Sequence, residues 1–135
     1  MDRAIHQLRT MRRKPLYCAI AAAMVTGCHK PEPIEHGSYY IENRTAEALH
    51  LSIVQHWDDG NQLNDSIPPD TLLRFMDVTQ GSGGHVLPSN FIKRFTVTRT
   101  DSLLGEVVVY EGVRNGDWRR EDLSSGRTDL VLLIE

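Results

Sequence analysis

The sequence predicts an all-β fold, built as a sandwich of two sheets. Six or seven short segments after residue 38 alternate apolar and polar residues with a period of two, the spacing of a strand with one wet face. Turn-forming residues separate these segments roughly every 8–12 residues. The same region has no helical stripe longer than a turn or two. Such a chain makes a two-sheet sandwich or a small barrel.

The first two predicted strands are the clearest. One begins at Ser38, with Tyr39 and Ile41 on the same face. The next carries its apolar face at residues 49, 51 and 53, and its period-two pattern continues to Trp57. Trp57 is therefore predicted to lie in the core.

The remaining elements are separated by turn chemistry. Gly60 suits a positive φ, and Asn115-Gly116 is a strong turn signal. Residues 72–78 carry two apolar stripes, with Leu73 and Phe75 on one face and the others opposite. The predicted elements are a turn at 58–61, a strand at 72–78, a glycine loop at 81–84, a helical turn at 88–91, strands at 95–100 and 106–110, a turn at 115–116 and a strand at 128–134.

Length and strand count favour an immunoglobulin-like sandwich of about seven short antiparallel strands. The Cys–Trp–Cys pattern of antibody domains is absent, so this prediction depends on strand spacing. A small β-barrel is the alternative. The order of the strands stays open.

A different kind of segment precedes the strands. Arg12-Arg13-Lys14 is followed by a ten-residue, largely apolar run at 16–25, and then by Thr26, Gly27 and Cys28. A basic stretch, a short apolar run and small residues before a cleavage point are the features of a secretory signal peptide. A membrane-spanning helix needs about 20 apolar residues, so this run is too short to remain as a span.

Val25-Thr26-Gly27-Cys28 resembles the lipobox of bacterial lipoproteins. The resemblance implies cleavage between Gly27 and Cys28, acylation of Cys28 by chains such as palmitate, and attachment to a membrane through those chains. In such lipoproteins an Asp after the Cys favours retention in the inner membrane. His29 stands there, so the resemblance implies the outer membrane, on its periplasmic face or at the cell surface.

The predicted organisation has three parts. Residues 1–27 are the signal peptide, 28–37 are the lipidated Cys with a Pro-rich tether, and 38–135 are the β-sandwich domain. This layout is similar to that of small uncharacterised envelope lipoproteins. Translation from Met1 and from Met11 are both open.

Cleavage changes the charge of the chain. Residues 28–135 hold ten Lys and Arg against seventeen Asp and Glu, a net charge of −7 with neutral His. Nucleic acid and anionic headgroups both need Lys and Arg, so neither is a predicted partner. Cys18 leaves with the signal peptide and Cys28 carries lipid, so no thiol remains for a disulfide, a metal or a nucleophile.

The sequence predicts no metal, no cofactor and no enzyme. His50 and His56 share a strand face but are six residues apart, roughly 20 Å, which is too far for one metal ion. Asp58-Asp59 with Asn61 and Asp65 lacks the order of a calcium loop, so a polar turn is favoured there. The glycine loop lacks the Lys and following helix of a phosphate loop. No nucleophile, base and orienting group can be named together.

The second tryptophan offers a binding hypothesis. Trp118 is followed by Arg119 and Arg120, a combination that can anchor a protein or glycan partner. It can equally plug the open end of the sandwich, and this alternative is favoured because exposed large aromatic residues are uncommon on monomers.

The leading functional hypothesis is a lipid-anchored envelope protein whose sandwich is a non-enzymatic interaction or structural module. A glycan- or ligand-binding surface lipoprotein is one alternative, and it requires exposed aromatic and polar side chains at one end. A hydrolase inhibitor is another, and it requires residues 81–90 to form an ordered, projecting loop. A small enzyme would require a pocket with convergent polar groups.

Overall fold

The structure, a computed structural model, describes residue 30, residues 32–124 and residues 126–135. Within these ranges the chain forms eight strands, one helix of four residues and one 3-10 turn. They are β1 (Glu35–Asn43), β2 (Leu49–Gln55), β3 (Asp58–Ile67), β4 (Thr71–Gln80), α1 (Pro88–Phe91), β5 (Ile92–Asp101), β6 (Gly105–Glu111), the 3-10 turn (Asn115–Asp117), β7 (Trp118–Ser124) and β8 (Arg127–Ile134). In the part of the chain so described, no helix has the length and apolarity needed to cross a membrane.

The strands form two four-stranded sheets, ordered β4-β1-β8-β7 and β3-β2-β5-β6. Strands β1 and β8 run parallel at the centre of the first sheet, and every other pairing is antiparallel. The predicted all-β, two-sheet sandwich is confirmed, with eight strands where about seven were predicted. The sheets stay open at their edges and do not close into a barrel.

Strand β1 runs the length of the first sheet and gives the sandwich two distinguishable ends. We call the end where β1 begins, at Glu35, the proximal end, and the end where it finishes, at Asn43, the distal end. Residues 81–91 cross between the sheets at the proximal end, close to the turn between β2 and β3. The distal end holds three connections, at residues 44–48, 68–70 and 102–104.

The apolar faces of β1 and β2 form the core, as the alternation predicts. Tyr39 and Ile41 of β1 are fully buried, and so are Leu49, Leu51 and Ile53 of β2. Each buried Leu or Ile side chain contributes about 1.5–3 kcal/mol relative to exposure. Burial, with a smaller contribution from the charge of Glu35, raises the pKa of Tyr39.

The prediction that Trp57 lies in the core is wrong, because the strand ends earlier than its pattern indicates. Strand β2 stops at Gln55, and the turn falls at His56 and Trp57, two residues before the predicted turn. Trp57 therefore stands at a turn and is 58% exposed. Trp118 occupies the core instead and is only 5% exposed.

Strand β4 contains a bulge that reverses its alternation. Its pairing with β1 shifts by one residue at Phe75, which has no partner opposite it. As a result Leu73 and Phe75 before the shift, and Met76 and Val78 after it, all pack against the core. The sequence pattern placed these two pairs on opposite faces.

Two strands, β3 and β7, were not predicted. Both lie at sheet edges, and nearly all their described side chains are exposed. Among the described side chains, only Ile67 is buried in β3 and only Trp118 in β7. Without a run of apolar residues on one face, an edge strand leaves no alternation to detect.

The ordered domain begins before residue 38, the predicted start. Strand β1 opens at Glu35, so residues 35–37 of the predicted tether belong to the first sheet. Gly37 lies directly beneath Val86, and a Cβ at position 37 would overlap that side chain. The Gly83 amide also donates to the Pro33 carbonyl at 3.3 Å, which brings the end of the tether against the glycine loop.

Candidate functional site

The predicted site residues do not form one exposed group. Gly27 and Cys28 lie outside the described residues, so cleavage and lipidation stay predictions. Trp118 is buried, so it is not an exposed anchor. Arg119 donates to Glu121 at 2.8 Å, whereas Arg120 reaches across the sheet to Glu35.

Trp118 owes its burial to the aromatic centre of the core. Its ring lies edge-on to Tyr39 at 5.6 Å and to Phe95 at 5.4 Å, the favoured geometry for aromatic pairs. The preceding 3-10 turn, Asn115–Asp117, carries the chain to the sheet edge, where the first residue of β7 faces inward. The tryptophan therefore joins the two sheets.

Arg120 belongs to a polar cluster at the proximal end, which we call the Glu35 clasp. The Glu35 carboxylate accepts a hydrogen bond from the Val86 amide at 2.7 Å and one from the Thr128 hydroxyl at 2.7 Å. Arg120 pairs with the same carboxylate and donates to Asp122 at 2.9 Å. The clasp joins the start of β1 to β7, to β8 and to the loop that connects the sheets.

The environment of Glu35 favours its charged form. Burial of the carboxyl group raises its pKa, but the hydrogen bonds from Thr128, the Val86 amide and Arg120, with the Arg120 charge, outweigh burial and lower the pKa below its usual value. Residue 35 gave no sequence signal for this role, because it stands in a Pro-rich, charged segment typical of a linker.

Residues 81–91 lie against the domain. Val86 is fully buried, and the Ser89 amide donates to the Asn115 side chain at 3.0 Å. The His56 amide donates to the Phe91 carbonyl at 3.0 Å. Helix α1 lies at 88–91, as predicted. The loop is ordered, but its middle is inserted into the core, unlike the projecting loop that an inhibitor requires.

Exposed apolar side chains also lie at the proximal end. Trp57 packs edge-on against Phe91, with ring centroids 5.8 Å apart, yet most of its surface is exposed. Leu87 follows the clasp residue Val86 and is exposed, and so is Ile34, which precedes Glu35. These three residues, Ile34, Trp57 and Leu87, are called the proximal apolar residues below.

The distal end carries a second apolar feature, the turn between β5 and β6. Leu103 is 92% exposed and Leu104 is 77% exposed. The Asp101 carboxylate accepts hydrogen bonds from both of their amides, at 2.8 and 3.0 Å, and these bonds lower its pKa. Gly105 closes the turn with a φ of +77°, a conformation that glycine adopts without strain. We call this feature the dileucine turn.

Asn43 organises the rest of the distal end. It is fully buried, and its amide nitrogen donates to the carbonyls of Glu47, Ile67 and Pro68 at 2.8–3.1 Å. Its side-chain oxygen accepts from the Thr45 amide at 3.0 Å and from the Thr45 hydroxyl at 2.7 Å. One side chain thereby ties the β1–β2 loop to the β3–β4 loop.

The outer face of the second sheet forms an open polar depression of about 710 Å³. His50, Arg94, Thr98 and Glu106 are among its lining residues, and the Thr98 hydroxyl donates to Glu106 at 2.7 Å. A polar outer face is ordinary for an antiparallel sheet with one side in solvent.

The described histidines are dispersed. His36 forms a hydrogen bond with the Thr79 hydroxyl, and His56 forms one with the Ser89 carbonyl. His85 lies 3.5 Å from the Glu35 carboxylate. Over residue 30 and ranges 32–124 and 126–135, no group of three His, Cys, Asp or Glu side chains is placed to hold a metal. Asp58 pairs with Gln55 and Asp65 with Leu51, four residues apart along β2, so these two candidate calcium ligands are separated by roughly 13 Å at strand spacing.

Comparison of the whole chain with protein families, with curated proteins and with solved structures finds no match to any of them.

Proposed function

We propose that this chain is an outer-membrane lipoprotein, anchored by acyl chains on Cys28, whose β-sandwich is a non-enzymatic module that binds another protein. The basic cluster, the short apolar run and the lipobox-like residues 25–28 support the anchor. The acidic charge of residues 28–135 favours acyl chains over electrostatic attachment.

The dileucine turn is the observation that carries the binding role. Its two leucines present almost their entire side chains to water, on a turn that Asp101 and Gly105 hold in shape. A preformed apolar projection loses little conformational entropy when it enters a pocket of a partner. The turn stands at the distal end of the sandwich, opposite the end at which β1 begins.

The anchor is tested by metabolic labelling with a palmitate analogue. We expect Cys28→Ala to abolish labelling and to release the domain into the soluble fraction. Cys18→Ala is the matched control, because Cys18 lies in the segment removed by cleavage, and it should label as the wild type does. Labelling of the Cys28→Ala protein would contradict the proposed anchor.

The binding role is tested by placing a photo-crosslinking residue at position 103 in living cells. In a control variant the same crosslinking residue replaces Leu72, which is also exposed and lies near the distal end on the other sheet. We expect a discrete adduct of one additional protein from position 103 and none from position 72. Absence of an adduct from position 103, with normal amounts of lipidated protein, would count against this proposal.

The polar depression supports a second candidate, the binding of a glycan or another polar ligand. Hydroxyl, amide and charged side chains line it together and offer both donors and acceptors. Calorimetry against a panel of oligosaccharides, with Arg94→Ala as the comparison, tests this candidate. Binding that is lost in Arg94→Ala would favour it over the protein-binding role.

A further inference from the structure

The tether is short, and this sets how far the proximal end can be from the membrane. Only seven residue steps separate Cys28 from Glu35, where β1 begins. A fully extended chain spans at most about 3.6 Å per residue, so this segment reaches no farther than roughly 25 Å. If Cys28 carries the anchor, as proposed above, the proximal end is confined to the neighbourhood of the bilayer.

The proximal apolar residues lie at the same end of the sandwich as Glu35. Leu87 adjoins Val86, whose amide bonds the Glu35 carboxylate at 2.7 Å. Trp57 contacts Phe91, which is five residues beyond Val86 and therefore within roughly 18 Å of it. Ile34 is bonded to Glu35 itself. All three therefore lie on the part of the domain that the tether holds closest to the bilayer.

The chemistry of these side chains matches the membrane–water interface. Tryptophan is enriched at that level of a bilayer, where its ring meets apolar chains and its N–H meets polar groups. The Phe91 ring and the turn at residues 56–57 hold the Trp57 indole in place while it stays 58% exposed. Asp58, directly after it, keeps the contact shallow, because a carboxylate is costly to bury in hydrocarbon.

We propose that the proximal apolar residues rest in the headgroup region of the bilayer that holds Cys28, and so fix the orientation of the sandwich. The contact is apolar and needs no basic patch, in keeping with the acidic charge of the domain. The acyl chains supply the affinity, and Trp57, with Leu87 and Ile34, supplies the orientation. The dileucine turn is then directed away from the membrane, since the nine residues of β1 separate the two ends by roughly 30 Å.

The inference rests on the proposed lipid anchor, and one experiment separates the two. The protein is produced from the complete sequence, purified in detergent and reconstituted into phosphatidylcholine vesicles, with and without bromine atoms near the headgroup end of the acyl chains. Bromine quenches nearby tryptophan emission. The chain contains two tryptophans, and Trp118 is shielded in the core.

We expect brominated vesicles to quench part of the emission and Trp57→Phe to remove the quenched part. A matched control adds Leu103→Trp to Trp57→Phe, which moves the exposed indole to the distal end, where we expect no quenching. A third sample, the Cys28→Ala protein mixed with the same vesicles, should show no quenching, because the acyl chains supply the affinity.

Three other outcomes would contradict the proposed orientation, and one of them would contradict the anchor as well. The protein could float with the vesicles while Trp57 is quenched by acrylamide in solution and not by bromine in the bilayer. That result would agree with the proposed anchor and would contradict the proposed orientation. Equal quenching from positions 57 and 103 also overturns it, because the domain would then lack a fixed orientation. Protein that does not float with the vesicles overturns the anchor, and the orientation with it.

Discussion

A charged side chain closes one end of the sandwich, and a neutral side chain closes the other. At the proximal end the charged Glu35 joins three strands and a loop, with Arg120 as its counter-ion. At the distal end the neutral amide of Asn43 makes the corresponding connections to backbone carbonyls. An amide keeps its hydrogen bonds at every physiological pH, whereas a carboxylate keeps its own only while it is ionised. The comparison indicates that the Asn43 network at the distal end is insensitive to acid and that the Glu35 clasp at the proximal end is not.

The ends also differ in how they expose apolar surface. Trp57 at the proximal end is partly covered by Phe91, whereas Leu103 and Leu104 project from a turn with little cover. The first arrangement suits a broad, fluid surface such as a bilayer. The second suits a pocket of defined shape on a protein. This difference is the reason for proposing a bilayer contact at one end and a protein contact at the other.

The largest effect on stability is expected from Asn43→Ala. It would remove the two N–H donors that the carbonyls of Glu47, Ile67 and Pro68 share, and the acceptor of the Thr45 amide. The bond to Ile67 is buried, and a buried group without its hydrogen bond costs about 1–3 kcal/mol when water cannot replace it. We expect a loss of about 3 kcal/mol, measured by urea unfolding of the soluble Cys28→Ala protein. Thr45→Val, which removes only one hydroxyl at the rim of the same network, should cost about 1 kcal/mol. Equal losses for the two variants would show that Asn43 does not organise the distal end.

Glu35→Ala is expected to cost less, about 2 kcal/mol at neutral pH. The Val86 amide loses its acceptor and Arg120 loses a counter-ion, but Arg120 is partly exposed and retains Asp122. Urea unfolding gives the free energy, and hydrogen exchange at the Val86 amide reports the clasp directly. Glu35→Gln keeps an acceptor for Val86 and should fall between wild type and Glu35→Ala. If the Glu35→Ala protein were as stable as wild type, the Glu35 clasp would not contribute to the stability of the domain.

Acid should loosen the proximal end first. The pKa of Glu35 is lowered in the folded state, so its contribution to stability is complete above the unfolded pKa of about 4.5 and is lost as the pH falls through the folded pKa. Below about pH 4.5 we expect faster exchange at the Val86 amide, while the Asn43-bound Thr45 amide stays protected once the intrinsic effect of pH on exchange is removed. Glu35→Gln should abolish the difference. If the Val86 and Thr45 amides lost their protection from exchange at the same pH, the two ends would not respond separately to acid.

Gly37→Ala tests the close packing of the clasp region by adding one methyl group. The new Cβ would overlap Val86, and overpacking of this kind costs about 1–3 kcal/mol. Gly60→Ala is the matched control in a strand, because a Cβ there meets no atom within 4 Å. We expect it to be neutral or to stabilise by up to about 1 kcal/mol, since Ala restricts the unfolded chain. Midpoints of thermal unfolding distinguish the two, and equal midpoints would contradict the packing argument.

Sequence patterns predicted the elements that bury one complete face. The alternation in β1 and β2 is of this kind. The edge strand β6 has no buried side chain, and it was predicted from its run of β-branched residues instead of from a buried face. In the edge strand β3 neither face is apolar enough to show a period. The bulge at Phe75 was equally invisible, because an inserted residue looks the same in sequence as a change of face.

The candidate site was less predictable, because its parts come from distant positions in the chain. Glu35 and Arg120 are 85 residues apart and meet only because β1 and β7 both flank β8. The exposure of Trp57 follows from a single turn. Ending β2 two residues early places Trp57 in solvent, and only the register shows that Trp118 starts a strand. Cys28 is the opposite case, since a local motif carries that prediction entirely.

The smallest effect on stability is expected where the largest effect on binding is proposed. Leu103→Asp with Leu104→Asp changes side chains that are almost wholly in water, so the free energy of unfolding should change by less than about 0.5 kcal/mol. The Asp101 bonds to the two backbone amides are kept in this variant. With the crosslinking residue moved to Val109, on the exposed edge strand that follows the turn, the adduct should form in wild type and disappear in the double variant. A lower free energy of unfolding in the double variant would show that the leucines support the fold. If the variant is as stable as wild type and still forms the adduct, the binding surface lies elsewhere. Loss of the adduct with unchanged stability and lipidation is the one combination that separates a docking feature from a structural one.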